Sequence, residues 1–325
     1  MKMRTASLYV RRKGSGRTLV ELMIALSLGL FVMLGITSLF AANKKSFTVA
    51  DDKGRLEEEG RLALNLMAYH VRMAGYGSLT TPKESYTDDQ NGNKQVAALF
   101  TNFGNQSTGA SENAIRGCAG GFADAAKDVS SIACVAGTTS DAFLVRYVVD
   151  QDTVTSGGAT ATDCLGAAVQ LSPAIPESPG RAASPAFYLI ENRFFVTKNT
   201  VTDNPELYCK GNGNTALGSS LANPEQPIAE NVETMKILYG ITDASASSQY
   251  VNRFVTADKL LTTADWNRVV SARICLVVRS QSENVTISKQ TYVDCDDTKV
   301  TAADKRLRGV FSTTIAIRSR SVGAT

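Results

Sequence analysis

The chain predicts an α+β fold, in which one long N-terminal helix leads into a β-rich head. Three observations carry this. Residues 18–42 form an apolar run of 25 residues with one charge, Glu21. Residues 55–74 repeat their apolar side chains at helical spacing, and beyond Gly77 the period falls to two.

As a helix rising 1.5 Å per residue, residues 18–42 would be about 37 Å long, enough to cross a hydrocarbon core of about 30 Å with some tilt. A cleaved secretory signal has an apolar region of only about 7–15 residues and small residues before the cut. Here Leu39 and Phe40 take the −3 places for cuts after Ala41 or Ala42, so a retained anchor is expected. Residues 1–16 carry Lys2, Arg4, Arg11, Arg12 and Lys13 with no acid, a cytoplasmic flank under the positive-inside rule.

Placed at 100° intervals, Leu56, Leu62, Ala63, Leu66, Met67, Tyr69, Val71 and Met73 fall within one broad apolar arc, opposite Glu57, Glu58, Arg61, Asn65 and Arg72. An arc this wide suits a helix covered by its own domain on one side and by neighbouring chains on another. Gly75, Tyr76 and Gly77 supply the stop. Gly54 and Gly60 predict a bend or frayed turn midway.

Strands are expected over residues 142–149, 186–196, 232–241, 269–279, 286–294 and 310–318. Long Gly/Ser/Asn/Pro-rich connections are expected at 80–121, 153–185 and 208–227. Six cysteines follow the anchor: Cys118, Cys134, Cys164, Cys209, Cys275 and Cys295. An even count on the outer side implies three disulfides. Fifteen connectivities are possible; pairing neighbours in order gives Cys118–Cys134, Cys164–Cys209 and Cys275–Cys295, the last across a hairpin. With Cys118, Cys164 and Cys209 read as loop residues, these bonds would staple the loops.

The net charge of +3 resides in the leader, because 34 basic side chains less those five, against 31 acids, leave −2. A near-neutral body argues against strong nucleic-acid binding. Catalytic signals are weak. A single histidine, His70, excludes His-rich metal and triad motifs, and neither GxSxG nor a P-loop occurs. His70 is read as a packed or interface histidine. Residues 88–93 (DDQNGN) offer calcium-friendly oxygens but miss the EF-hand pattern. Asp294, Asp296 and Asp297 read as a charged hairpin end. No catalytic residue, metal or cofactor is expected, and the chain is read as a non-enzyme. Glu21 stands apart, since a carboxylate in an apolar helix is costly and by default functional.

Residues 11–26, RRKGSGRTLVELMIAL, resemble the type III signal of type IV prepilins, with Gly16 before the cut and Glu21 as the fifth residue after it. GRLALNLMAYHVRMAGYGS at 60–78 resembles the end of the first helix in PilW-type minor pilins, and residues 269–280 and 306–320 look like that family's last strands. The resemblance implies a type IV pilin-like fold, the helix lying on an antiparallel β-sheet. Its divisions would be a cleaved leader (1–16), a transmembrane and assembly half of the helix (17–42), an amphipathic half (43–77) and a periplasmic or extracellular head (78–325).

The same resemblance implies cleavage between Gly16 and Arg17 by a prepilin peptidase, N-methylation of Arg17, and a contact of Glu21 with a neighbouring subunit. It implies a minor pilin that is held in the inner membrane before extraction. There it would prime assembly near the pilus tip with other minor pilins, the major pilin and a large tip adhesin. Arg17 stands where the family carries an apolar residue, and at i,i+4 it is placed to pair with Glu21. Ser38 stands where many major pilins carry proline. Two other readings remain: a minor pseudopilin of a type II secretion system, and a tip adhesin or DNA-uptake pilin.

Overall fold

The computed structural model describes residues 16–76, 86–88, 94–96, 102–104, 111–135, 137, 140–150, 161–172, 187–215, 219–243 and 250–318. Residues 1–15 of the basic leader, Gly77, and 89–93 of the acidic stretch lie outside them. The chain divides into two compact units, Met1–Asp51 and Asp52–Thr325.

Helix α1 spans Leu19–Met73. Thr18 caps it: the Glu21 amide donates to Thr18 Oγ1 at 3.3 Å, satisfying one of the helix's free N–H groups. Every described residue from 16 to 48 is exposed. Within that stretch the hydroxyls of Ser27, Thr37 and Ser38 donate to carbonyls three or four residues back. Such back-bonding satisfies these hydroxyls within the helix itself. The expected interruption at Gly54 and Gly60 does not occur; α1 continues through both. A Cβ at Gly60 would lie 2.5 Å from the Phe311 ring, so this glycine serves close packing rather than a hinge. Past Met73, Gly75 takes a left-handed φ of 72° and ends the helix.

The strands fall into two main antiparallel sheets. The first contains β5 (Ile115–Cys118), β6 (Ala142–Asp150), β7 (Leu171–Ser172), β8 (Phe187–Lys198), β9 (Pro205–Gly211) and β10 (Gln226–Glu230), in the order β10-β9-β8-β6-β5 with β7 on β8. The second contains β11 (Val232–Ile241), β12 (Arg253–Val255), β13 (Val269–Arg279) and β16 (Arg308–Ala316), in the order β12-β11-β13-β16. Three short hairpins complete the set: β1 (Tyr86–Asp88) with β2 (Lys94–Val96), β3 (Asn102–Gly104) with β4 (Ser111–Asn113), and β14 (Thr291–Val293) with β15 (Lys299–Thr301). A short helix α2 (Thr263–Asn267) precedes β13, closed by a Thr262–Asp265 capping box.

Leu56, Ala63, Leu64, Met67, Val71 and Ala74 of α1 join Phe143, Phe194, Met235, Ile274 and Leu276 from both sheets in one buried cluster. The sheets are also tied at one corner. The Asp141 amide donates to Met235 O at 2.7 Å, and Asp141 Oδ2 accepts from the Ile237 amide at 2.9 Å. Burial pushes the Asp141 carboxyl up, against the pull of the Ile237 and Gly120 amides and of Lys236.

Several expectations need correction. The connections at 80–121 and 208–227 are not wholly loop: β5 places Cys118 in a strand, and β9 does the same for Cys209. Cys164 alone of those three lies outside a strand. The strand expected at 286–294 shortens to Thr291–Val293, because the residues before it form bends.

Candidate assembly site

The N-terminal end combines three features. Leu19, Val20, Leu22 and Met23 are each more than half exposed, Glu21 sits at the third helical position, and Arg17 precedes the first turn. Because α1 begins at Leu19, Arg17 is not in helical register with Glu21, and no ion pair joins them. Glu21 follows Thr18 by three, the spacing of a capping box, and the free N–H groups of the first turn favour a negative charge there. Thr18 as a cap was legible in the sequence as T-x-x-E, but the apolar run drew the helix start there instead. The carboxylate of Glu21 has no polar partner among the described residues.

From Asp52 onward, the broad apolar arc of α1 divides in two. One side is buried in the head. The other, Leu62 and Tyr69 at 56% exposure, faces solvent with Leu66 and Met73 half-buried beside them. The head thus covers one side of the arc and leaves the other exposed.

His70 lies on the buried side. Its Nδ1 is 3.1 Å from Tyr147 Oη and 3.0 Å from Asn192 Nδ2, and its ring packs 5.7 Å from Phe194. Burial lowers its pKa to about 4, with Asp163 opposing the shift. It is a packed core histidine. The network continues outward: Asn192 Oδ1 accepts from the Cys164 amide, and Asp163 accepts from the amides of Leu165, Ala167 and Gly213.

The three disulfides are Cys118–Cys134, Cys164–Cys209 and Cys275–Cys295, closing 16, 45 and 20 residues. Cys275 lies on β13 and Cys295 in the turn between β14 and β15. In that turn Asp294 Oδ1 accepts from the amides of Asp296 and Thr298. The acidic cluster is a hydrogen-bonded hairpin end.

Over the outer face of the first sheet, the loop closed by Cys118–Cys134 covers a buried ion triad. Glu191 lies between Arg146, at 2.9 Å, and Arg193. Arg193 Nη1 also donates to Ala125 O at 2.7 Å and to Lys127 O, pinning the loop from beneath. Periodicity could not have found this triad, since Glu191, Asn192 and Arg193 are consecutive and all buried. A concavity of about 600 Å³ opens beside the loop, lined by Phe122, Phe195, Asp124 and Glu225 among others. Among the described residues, no group of three His, Cys, Asp or Glu side chains could hold a metal.

Residues 193–319 match the family model described as Type IV Pilus-assembly protein W, PilW. That stretch is PilW-like. The PilW match begins at Arg193 within β8 and takes in β9 to β16, well under half of the chain. No curated protein matches the chain significantly. Among solved structures, a type IV-like pilin from Thermus thermophilus aligns over 82% of this chain and 99% of its own, with 10% identity and a TM-score of 0.36.

Proposed function

We propose that the chain is a minor pilin, a non-catalytic subunit of a type IV pilus that helps prime assembly near the tip. One observation carries the reading: a PilW-like head is joined to an exposed apolar helix whose first turn holds Glu21. Before assembly the helix anchors the chain in the inner membrane, N-terminus cytoplasmic and head periplasmic; afterwards it lies in the extracellular pilus. A prepilin peptidase cuts between Gly16 and Arg17 and methylates the new amine of Arg17. Glu21 receives the terminal amine of a neighbouring subunit and so sets the register of the helix bundle. Partners are the major pilin, other minor pilins and a large tip adhesin; the near-neutral body does not favour nucleic acid.

An exposed carboxylate with a mere capping role would be replaceable at a cost of order 1 kcal/mol. An assembly contact would not. Glu21→Ala should therefore yield a cleaved, folded, membrane-bound protein that is missing from sheared pili. Immunoblots of membrane and pilus fractions check this, and wild-type amounts of the variant in pili would sink the role.

A further inference from the structure

The concavity beside the Cys118–Cys134 loop has walls fixed by backbone bonds. The disulfide closes the loop, and inside it the Ala123 amide donates to Ala133 O and the Val135 amide to Gly121 O. From outside, the Leu221 amide donates to Ala126 O, and Arg193 holds the Ala125 carbonyl from beneath. Such a cavity is formed before any occupant arrives.

Two kinds of surface line it. One is aromatic: the Phe122 ring meets Phe195 edge-on with centroids 6.3 Å apart, and Phe195 stacks on Tyr208 at 6.1 Å. Both phenylalanines are half-buried, so each ring keeps part of its surface open. The other surface is acidic. Among the described residues that line the cavity, Asp124 and Glu225 alone carry charge, and both are exposed.

Neither carboxylate is fully occupied. Lys210 Nζ donates to Glu225 Oε2 at 2.9 Å and to Asn223 O at 2.7 Å. With its side chain only 6% exposed, Lys210 stands behind the cavity wall and not in it. The Ala126 amide donates to Asp124 Oδ1 at 2.8 Å. Glu225 Oε1 and Asp124 Oδ2 meet no donor from another described residue. Lys210 draws Glu225 below the usual carboxylate range, while Asp124 pushes the other way, so the two acids lie within each other's field.

We propose that this cavity receives a lysine or arginine side chain of a partner protein. Charge decides the sign of the occupant, because a cation complements a lining whose two charges are both negative. The rings decide its shape, since a cation over an aromatic face and an alkyl stem against it are both favourable. Exposure decides the source. An exposed ion pair contributes little alone, so a free ammonium in water is held weakly, whereas a side chain arrives with the contacts of its own polypeptide. The site belongs to the head, so it stands or falls separately from the Glu21 test.

NMR of the full chain in detergent micelles tests it through the amides of Ala123, Ala126 and Thr197. The probe is acetyl-Ala-Ala-Lys-Ala-Ala-amide, with the same peptide carrying norleucine as its uncharged control. The lysine peptide should shift these amides saturably, and less so as salt is added; the norleucine peptide should not. Asp124→Asn should weaken the lysine peptide about two- to fivefold, the range of one exposed ion pair. Asp124→Lys should abolish the shifts, with the thermal midpoint showing that the head is folded; should it unfold, Asp124→Asn decides. No shift with the lysine peptide would overturn the proposal, as would equal shifts with norleucine or unchanged affinity in a folded variant. Butylammonium binding as tightly as the peptide would overturn it in favour of a free amine. Shifts that appear on concentrating the chain alone would overturn it in favour of a second copy.

Discussion

Burial of His70 makes the stability of the head depend on pH. Above its unfolded pKa of about 6.5 the imidazole is neutral in both states and stability is full. Below that, the unfolded chain takes up a proton that the folded chain refuses until about pH 4. Stability should therefore fall between pH 6.5 and 4, by about 3 kcal/mol from this residue. Urea unfolding across that range should show the slope, and His70→Gln should flatten it. An unchanged slope in the variant would place the titration elsewhere. Gly60 offers a second residue-scale test. Alanine in mid-helix gains up to about 1 kcal/mol of propensity, but overpacking against Phe311 costs about 1–3 kcal/mol. Gly60→Ala should lower the denaturation midpoint, and a stabilised variant would show that the ring yields freely.

At the scale of elements, legibility in the sequence followed alternation and run length. Residues 232–241 became β11 at those boundaries because residues 234–239 alternate in burial, and 269–279 became β13, buried on both faces except at Arg273 and Arg279, because its run of β-branched and apolar residues is long. β9 escaped notice since PELYCKG is buried on both faces, with Glu206 and Lys210 bonded to Asn199, Tyr208 and Glu225 rather than to solvent. The pairings of the cysteines were readable as neighbours in order, but their strand placement was not, because β5 has only four residues and no period to detect. The disulfide between Cys164 and Cys209 closes the longest loop, and it also positions the loop whose Cys164 amide meets Asn192. Replacing both of its cysteines by serine should cost about 2–5 kcal/mol, more than the same change at Cys118 and Cys134. Denaturant midpoints for the two double variants check the ranking; the reverse order would mean that the network beside His70 holds without the bond.

At the scale of the molecule, the features divide between an exposed apolar helix and a self-stabilised head. The N-terminal half of the helix presents an apolar surface with one carboxylate, while the head stabilises itself with three disulfides, a buried ion triad and a main core cluster beside two smaller ones. The long N-terminal helix was legible because its signal, an unbroken apolar run, is linear in the sequence. The triad was not, since it arises only when distant segments meet. The central claim, a structural subunit of a type IV pilus, is tested most directly by deleting the chain, restoring it from a plasmid, and scoring surface pili and secreted enzymes together. The account predicts that pili are lost on deletion and return on restoration, with secretion unchanged. Intact pili with lost secretion would contradict it and mark the chain as a pseudopilin.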